Sequence, residues 1–235
     1  VQYLKIKDAI LEQIEAGLLT ARQKLPSERK LAEAFDTTRV TLREALSLLE
    51  SEGKVYREDR RGWFISPEPL HYDPTNTTNF QTMALEQGRS ARSELISAKI
   101  VPASRRAASL LNLAPFSDVI RIDRVRYLDE RPVVYVTNFI LPEQLPNLLS
   151  HDITNSLTDV YKEHYGIIYQ KTRYRVSTSS LLGETAQALR ATAGSPAMFV
   201  ERLNYNQKGE LLDCDLEYWR HDAICIESIA ELKPT

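Results

Sequence analysis

Leu25-Pro26-Ser27-Glu28-Arg29-Lys30-Leu31-Ala32-Glu33-Ala34-Phe35, the break Asp36-Thr37-Thr38, and the run from Arg39 to Gly53 form the stretch that decides the fold. Ser27 is a natural N-cap, and Leu31, Ala34 and Phe35 recur at three- and four-residue spacing, which predicts one apolar face of a short helix. A second helix follows from Arg39 to about Glu52, with Leu42, Ala45, Leu46 and Leu49 inward and Arg39, Thr41 and Arg43 outward in its first turn. Gly53 stops it. Val55-Tyr56-Arg57 and Trp63-Phe64-Ile65 read as two short strands flanking the charged tip Glu58-Asp59-Arg60-Arg61-Gly62. Two helices crossing at a short turn, followed by a hairpin, make a winged helix-turn-helix. Its second helix enters a major groove by its N-terminal end, where arginine grips guanine edges and hydroxyls hold phosphates. One arginine on a short helix is usually a solvated charge. Here Arg29, Lys30, Arg39, Arg43, Lys54, Arg57, Arg60 and Arg61 concentrate in one small unit, as an electrostatic footprint for DNA requires. Glu28, Glu44 and Glu50 are expected to cap or to pair within their helices.

Leu25-Pro26-Ser27-Glu28-Arg29, Arg39-Val40-Thr41-Leu42-Arg43-Glu44-Ala45-Leu46, Leu49-Glu50 and Glu52-Gly53 closely resemble the DNA-binding domain of the GntR regulators. The resemblance implies DNA contacts at Arg29, Thr38, Arg39, Thr41, Arg43 and Gly62, with Ser27 and Arg61 beside them. The family's wing usually reads Gly-Arg-Gly, whereas this chain has Arg60-Arg61-Gly62.

The remainder of the chain has a different character. With 235 residues, 43% hydrophobic and 26% charged, the chain is long enough for two domains, and its formal net charge of -2 shows that the basic character is local. No apolar run approaches the roughly 18 residues of a membrane span, and Val1-Gln2-Tyr3-Leu4-Lys5 has no signal-peptide pattern, so a cytoplasmic protein without a membrane partner is expected. Cys214 and Cys225 lack metal-ligand spacing and read as buried thiols; no metal or other cofactor is expected.

Tyr3 to about Ala16 reads as a first helix, with Ile6, Ile10 and Ile14 on one stripe and Gly17 as its stop. The expected organisation is a DNA-binding domain over residues 1–66, a proline-containing linker over 67–77 with no apolar period, and a second domain over 78–235. That domain opens with a short helix from Phe80 to about Glu86, capped by Thr78 or Asn79 and ended by Gly88. Strands are predicted at Glu94–Val101, Asp118–Leu128, Arg131–Ile140, Gln170–Thr178, Ala197–Asn206 and Leu211–Arg220, and helices at Ser104–Leu111, Ser156–Tyr165 and Leu182–Ala191. Asp129-Glu130 and Gln207-Lys208-Gly209 join neighbouring strands tightly, so an α+β fold with a largely antiparallel sheet and flanking helices is indicated. Val119 to Tyr127 with its hairpin resembles Met198 to Tyr205 with its own, each after a helix and a proline, Pro115 or Pro196. A duplicated unit with a cleft between halves follows.

This order resembles UTRA, the ligand-sensing domain of chorismate lyase-like fold in the HutC branch of the GntR regulators. The signposts are Gly88, Arg124-Val125-Arg126, Pro142, Ser156-Leu157, Gly166, Arg202 and Arg220. With period two, Ile120, Ile122, Arg124, Arg126 and Leu128 share a face. Buried arginines need counter-charge, from Asp215, Glu217 or Glu201 in a structural salt bridge, or from a bound anion. In the HutC branch the corresponding segments line the effector pocket and often grip a phosphate. The resemblance thus nominates Thr78, Asn79, Phe80, Arg124, Arg126 and Ser156 for the anion end, Ser156 doubling as a helix cap. Asn138, Asp215, Glu217 and Tyr218 lie near the other end, where a carboxylate could hold an amine, and Asn138, Glu217 and Tyr218 are nominated there. The resemblance implies a homodimeric repressor released from operator DNA by a small anionic effector, a phosphonate such as 2-aminoethylphosphonate or a sugar phosphate. An enzyme of chorismate lyase-like fold acting on a small anion is the alternative. His71, His151, His164 and His221 form no recognisable pairing with a nucleophile, which argues against it.

Overall fold

The computed structural model describes residues 1–234; Thr235, the last residue of the expected second domain, lies outside them. The chain forms two compact units. One comprises Val1–Leu70, Ser180–Pro196 and Arg220–Cys225, and the other His71–Ser179, Ala197–Trp219 and the chain from Ile226 onward.

In the first unit, α1 (Gln2–Glu15), α2 (Glu28–Ala34) and α3 (Arg39–Ser51) precede the hairpin of β1 (Val55–Glu58) and β2 (Gly62–Ile65). Ile6 and Ile10 of α1 pack with Leu31, Leu42, Leu46, Leu49, Val55, Trp63 and Ile65 in one core. Gly17 and Gly53, at φ +73° and +71°, follow α1 and α3 in the left-handed region that glycine tolerates best. The expectation for Ala34 is corrected. Leu31 and Ala32 are buried and Phe35 packs beside them, so the apolar stripe turns away from Ala34, which is exposed. The wing pairs antiparallel, Val55 with Ile65 and Arg57 with Trp63. The helix α7 (Gly183–Ala188) also belongs to this unit.

The expected linker contains an element that the sequence pattern did not announce. β3 (Leu70–Tyr72) pairs with β10 (Ile224–Ile226), and Leu70 and Tyr72 are buried. Beyond it come α4 (Phe80–Glu86), β4 (Ala91–Pro102), α5 (Arg105–Leu111), β5 (Asp118–Leu128), β6 (Arg131–Ile140), α6 (Leu157–Tyr165), β7 (Tyr169–Leu181), β8 (Ser195–Asn206) and β9 (Leu211–Arg220). Strands run in the order β4-β5-β6-β9-β8-β7, so the two copies of the repeat meet at the central β6–β9 pair. The β4–β5, β5–β6 and β6–β9 pairings are antiparallel. Asp129 and Glu130, at φ +49° and +63°, close the β5–β6 hairpin with the twist that two-residue turns need. Even-numbered positions of β5, with Ile120 and Ile122, pack under Leu157, Val160 and Tyr161 of α6. The other face carries Val119, Phe139, Phe199, Cys214 and Leu216 against Ala107 and Leu111 of α5. Both cysteines are free; Cys214 is buried, while Cys225 is half-buried rather than buried as expected.

Candidate functional site

The nominated DNA-facing residues all lie on α2, the start of α3 and the wing. Ser27 caps α2 by accepting from the Lys30 amide at 3.3 Å, and Thr38 caps α3 by accepting from the Thr41 amide at 3.2 Å. The two threonine hydroxyls are 3.1 Å apart. Arg39 is exposed, and Arg29 pairs with Glu33 at 2.7 Å on its own exposed helix face. Arg43 is exposed but held: its Nε donates to Glu28 at 2.8 Å, and the Trp63 indole donates to the other oxygen of the same carboxylate at 3.2 Å. Glu28 therefore ties α3 and the wing to α2, a different job from the cap or intrahelical pair expected of it. Burial pushes its carboxyl up, but the hydrogen bonds from Trp63 and Arg43 and the charge of Arg43 outweigh that and hold it below the ordinary carboxylate range. At the wing tip Arg61 pairs with Glu58 at 2.6 Å, Arg60 is almost fully exposed, and Gly62 takes φ +103°. A Cβ at Gly62 would lie 3.4 Å from the Lys24 side chain. This unit can offer several cations, capped-helix hydroxyls and the apolar, exposed Val40 to one groove of DNA.

In the second unit the cleft is a cavity of ≈ 730 Å³, open mouth included. Thr78, Asn79, Phe80, Arg124, Arg126, Asn138, Ser156 and Glu217, all nominated from sequence, line it. Tyr218 does not. On an extended strand its neighbours Glu217 and Trp219 face the cavity, so Tyr218 faces away and packs on Phe199 with ring centroids 4.7 Å apart. Asp215, read from sequence as a carboxylate near the cavity's other end, also lines it; sequence reasoning missed Tyr72, Asn76, Thr77, Tyr169 and Trp219 in this wall, and noted Arg202 without assigning it to the site.

The two arginines of β5 differ. Arg124 is 1% exposed and spent on the protein: one Nη donates to the Asn155 carbonyl at 3.0 Å and the other to Asn138 at 2.8 Å. Arg126 lies partly open, with its guanidinium 5.1 Å from the Phe80 ring centre. Burial, reinforced by the neighbouring Arg124 charge, pushes the Arg126 pKa down to about 9. Arg202 donates to the Tyr72 hydroxyl at 2.6 Å, and the Nε groups of Arg124 and Arg202 are buried without a protein partner.

The carboxylates nearest these arginines, Asp215 and Glu217, attract them without direct ion pairs and take their hydrogen bonds from other groups. Asp215 accepts from Asn138 and Asn204, Glu217 accepts from the Trp219 indole at 2.9 Å, and Glu201 pairs with Arg173 and Arg106. Among the described residues, neither Arg124, Arg126 nor Arg202 forms an ion pair with a carboxylate. Behind the wall, Asp213 accepts from Tyr169 at 2.6 Å, Tyr161 at 2.9 Å and Asn204 at 2.8 Å. Burial and the nearby Asp215 charge push Asp213 up to about 7. At the two helix starts, Asn79 accepts from the Thr82 amide and donates to Asp159 at 3.0 Å, while Ser156 accepts from the Asp159 amide at 3.1 Å. Both side chains cap their helices and face the same cavity. The arrangement concentrates guanidinium donors and polar side chains in a partly dry site, which suits an anion.

A family described as bacterial regulatory proteins, gntR family, matches residues 2–65, and the UTRA domain matches residues 86–224. An uncharacterized HTH-type transcriptional regulator of Escherichia coli (strain K12), YihL, is 31% identical over 221 residues, covering 93% of either chain. The HTH-type transcriptional repressor NagR of Bacillus subtilis (strain 168) is 28% identical over 220 residues, covering 94% of this chain and 90% of NagR. Among solved structures, PhnF from Mycobacterium smegmatis aligns with a TM-score of 0.67 and 22% identity over 99% of this chain and 100% of PhnF, a likeness of fold.

Proposed function

Since the chain belongs to the GntR family of bacterial transcription regulators and carries the UTRA domain, we propose that it is a HutC-type repressor, a homodimer released from its operator by a small anionic effector. Its relatives are DNA-binding regulators, not enzymes, and its two matched domains imply DNA and a small molecule as partners. Among the described residues no helix is long and apolar enough to cross a membrane.

The observation that carries the effector reading is the set of three cavity arginines, none ion-paired with a carboxylate, two with a buried Nε that no protein group satisfies. A phosphate, phosphonate or carboxylate supplies the counter-charge such groups need. Arg126 is the primary contact, because the residue is half-buried and among the described residues makes no hydrogen bond or ion pair, while Arg124 is committed to Asn138 and Asn155. Glu217 and Asp215 on the same cavity suit hydroxyls or an amine at the effector's other end, a description that a sugar phosphate or an aminophosphonate meets. On DNA, Arg39 and Arg43 take base edges, Thr38 and Thr41 take phosphate, and Val40 suits a thymine methyl. Two-fold operators call for a symmetric dimer.

A thermal-shift panel of phosphates, phosphonates and carboxylates on wild type and Arg126→Ala tests the reading, because a ligand of the native state raises its melting temperature. A stabilising anion whose effect disappears in Arg126→Ala supports it. Equal stabilisation of both proteins would remove Arg126 from the site.

A further inference from the structure

The charges that line the cavity do not balance by themselves. Three guanidiniums, Arg124, Arg126 and Arg202, face two carboxylates, Asp215 and Glu217. A further carboxyl lies just behind the wall. Asp213 is fully buried on β9, and the Asn204 side-chain amide donates to it at 2.8 Å and to Asp215 at 3.1 Å, so one amide bridges the two acids. With Asp213 ionised the cluster is neutral, and with Asp213 protonated it keeps one positive charge.

The groups packed around Asp213 make it the carboxyl that can change. Tyr161 of α6 and Tyr169 of β7 donate to one of its oxygens and Asn204 of β8 to the other, while β6 sets Ile140 opposite it. Arg124 of β5 acts on Asp215, Tyr161 and Tyr169. Burial and the Asp215 charge bring Asp213 to about 7, the edge of ionisation in neutral buffer. Burial pushes the Glu217 carboxyl up as well, but the charges of Arg202 and Arg126 oppose that, so Glu217 is the poorer place for a proton. Tyr169 joins the buried acid to the cavity, because it lines the wall and also holds Asp213 at 2.6 Å. An anion placed at Arg126 adds negative charge to a partly dry cluster that is already neutral while Asp213 is ionised. Uncompensated charge is costly in such a site.

We propose that Asp213 is the exchangeable counter-charge of the effector site: an anion entering the cavity takes over its role toward the arginines, and Asp213 takes up a proton from solvent as the anion binds. This deepens, and rests on, the effector reading above. It sorts effectors by charge. A sugar phosphate, with no cation of its own, draws the proton, whereas an aminophosphonate brings an ammonium and draws none. A proton held more tightly in the complex than in the free protein makes anion affinity fall as pH rises.

Thermal shift of the full chain by sulfate, which carries no titrating proton near neutrality, tests this against sodium chloride of equal ionic strength on wild type, Asp213→Asn, Tyr169→Phe and Arg126→Ala. The window runs from about pH 7 to about pH 8, below the range in which Arg126, at about 9, loses its own charge. Across it the sulfate affinity of wild type should fall, by up to about tenfold per pH unit. Asp213→Asn should bind sulfate with an affinity that is flat over the same window. Tyr169→Phe keeps the ring in the wall and withdraws one donor from the carboxylate, so the fall should begin at higher pH; this variant decides the matter if Asp213→Asn does not fold. Arg126→Ala should lose the sulfate effect at every pH, which places the binding in the cavity. A flat wild-type profile, the same slope in Asp213→Asn, or an unmoved profile in Tyr169→Phe overturns the proton exchange and leaves the effector site standing. Sulfate that stabilises wild type at no pH, or stabilises Arg126→Ala equally, overturns both, so the two failures are distinguishable.

Discussion

Arg124 and Arg126 are two residues apart on one face of β5, yet they carry different burdens. Arg124 holds the Asn155 carbonyl and the Asn138 amide oxygen from a fully buried position. Its removal orphans the buried Asn138 oxygen, at about 1–3 kcal/mol for an unsatisfied buried group, and leaves a cavity, so Arg124→Ala should lower the urea midpoint. Among the described residues Arg126 has no such partner, and burial works against its charge. Arg126→Ala should leave the midpoint within about 0.5 kcal/mol of wild type while losing anion binding; a large loss of stability would make it a structural arginine instead. Asp213 offers a second residue-scale test. Its folded pKa is raised to about 7 by burial and Asp215, so the folded state binds the proton more tightly than the unfolded chain. Stability should therefore fall as pH rises from the ordinary carboxylate range to about 7 and level off above it. In Asp213→Asn that fall should be absent in pH-dependent urea unfolding, and an unchanged slope would assign it to another group.

At the scale of elements, period and punctuation served well where side chains alternate cleanly. The bounds of β5, β6 and β9 and the start of α4 followed from β-branched runs, tight turns and caps. The failures have physical causes. β3 is three residues long, with an exposed His71 between buried Leu70 and Tyr72, and its partner β10 lies about 150 residues away in the chain, so no local pattern could reveal it. Tyr218 was misplaced because a one-residue step on a strand reverses the face. The Glu28 tie was hidden because Arg43 and Trp63 reach it from two other elements. That tie is itself testable. The Glu28 carboxylate is stabilised in the folded state, so its contribution is present above the ordinary carboxylate pKa and lost as pH falls through the lowered value. Glu28→Gln should weaken the DNA-binding unit above about pH 5 and match wild type more closely in acid, as read by circular dichroism melts. A constant difference at all pH values would count against it.

At the scale of the whole molecule, a locally basic DNA-binding unit and an arginine-lined cavity occur in a chain of net charge -2. Sedimentation equilibrium should give a dimer, and log affinity for DNA should fall linearly with log salt, as counterion release requires. Arg43→Ala should lose roughly 1–3 kcal/mol at a selected operator duplex if it reads a base, with little change on random DNA. The central claim is that anion binding and operator binding oppose one another. The most direct measurement is fluorescence anisotropy titration of a duplex selected from a random pool, with and without the anion that stabilises the protein. At constant ionic strength the anion should weaken operator binding, roughly 5- to 150-fold by the usual range of coupling energies, and the duplex should weaken anion binding by the same factor. Operator affinity unchanged by an anion that demonstrably binds the cavity would contradict the account.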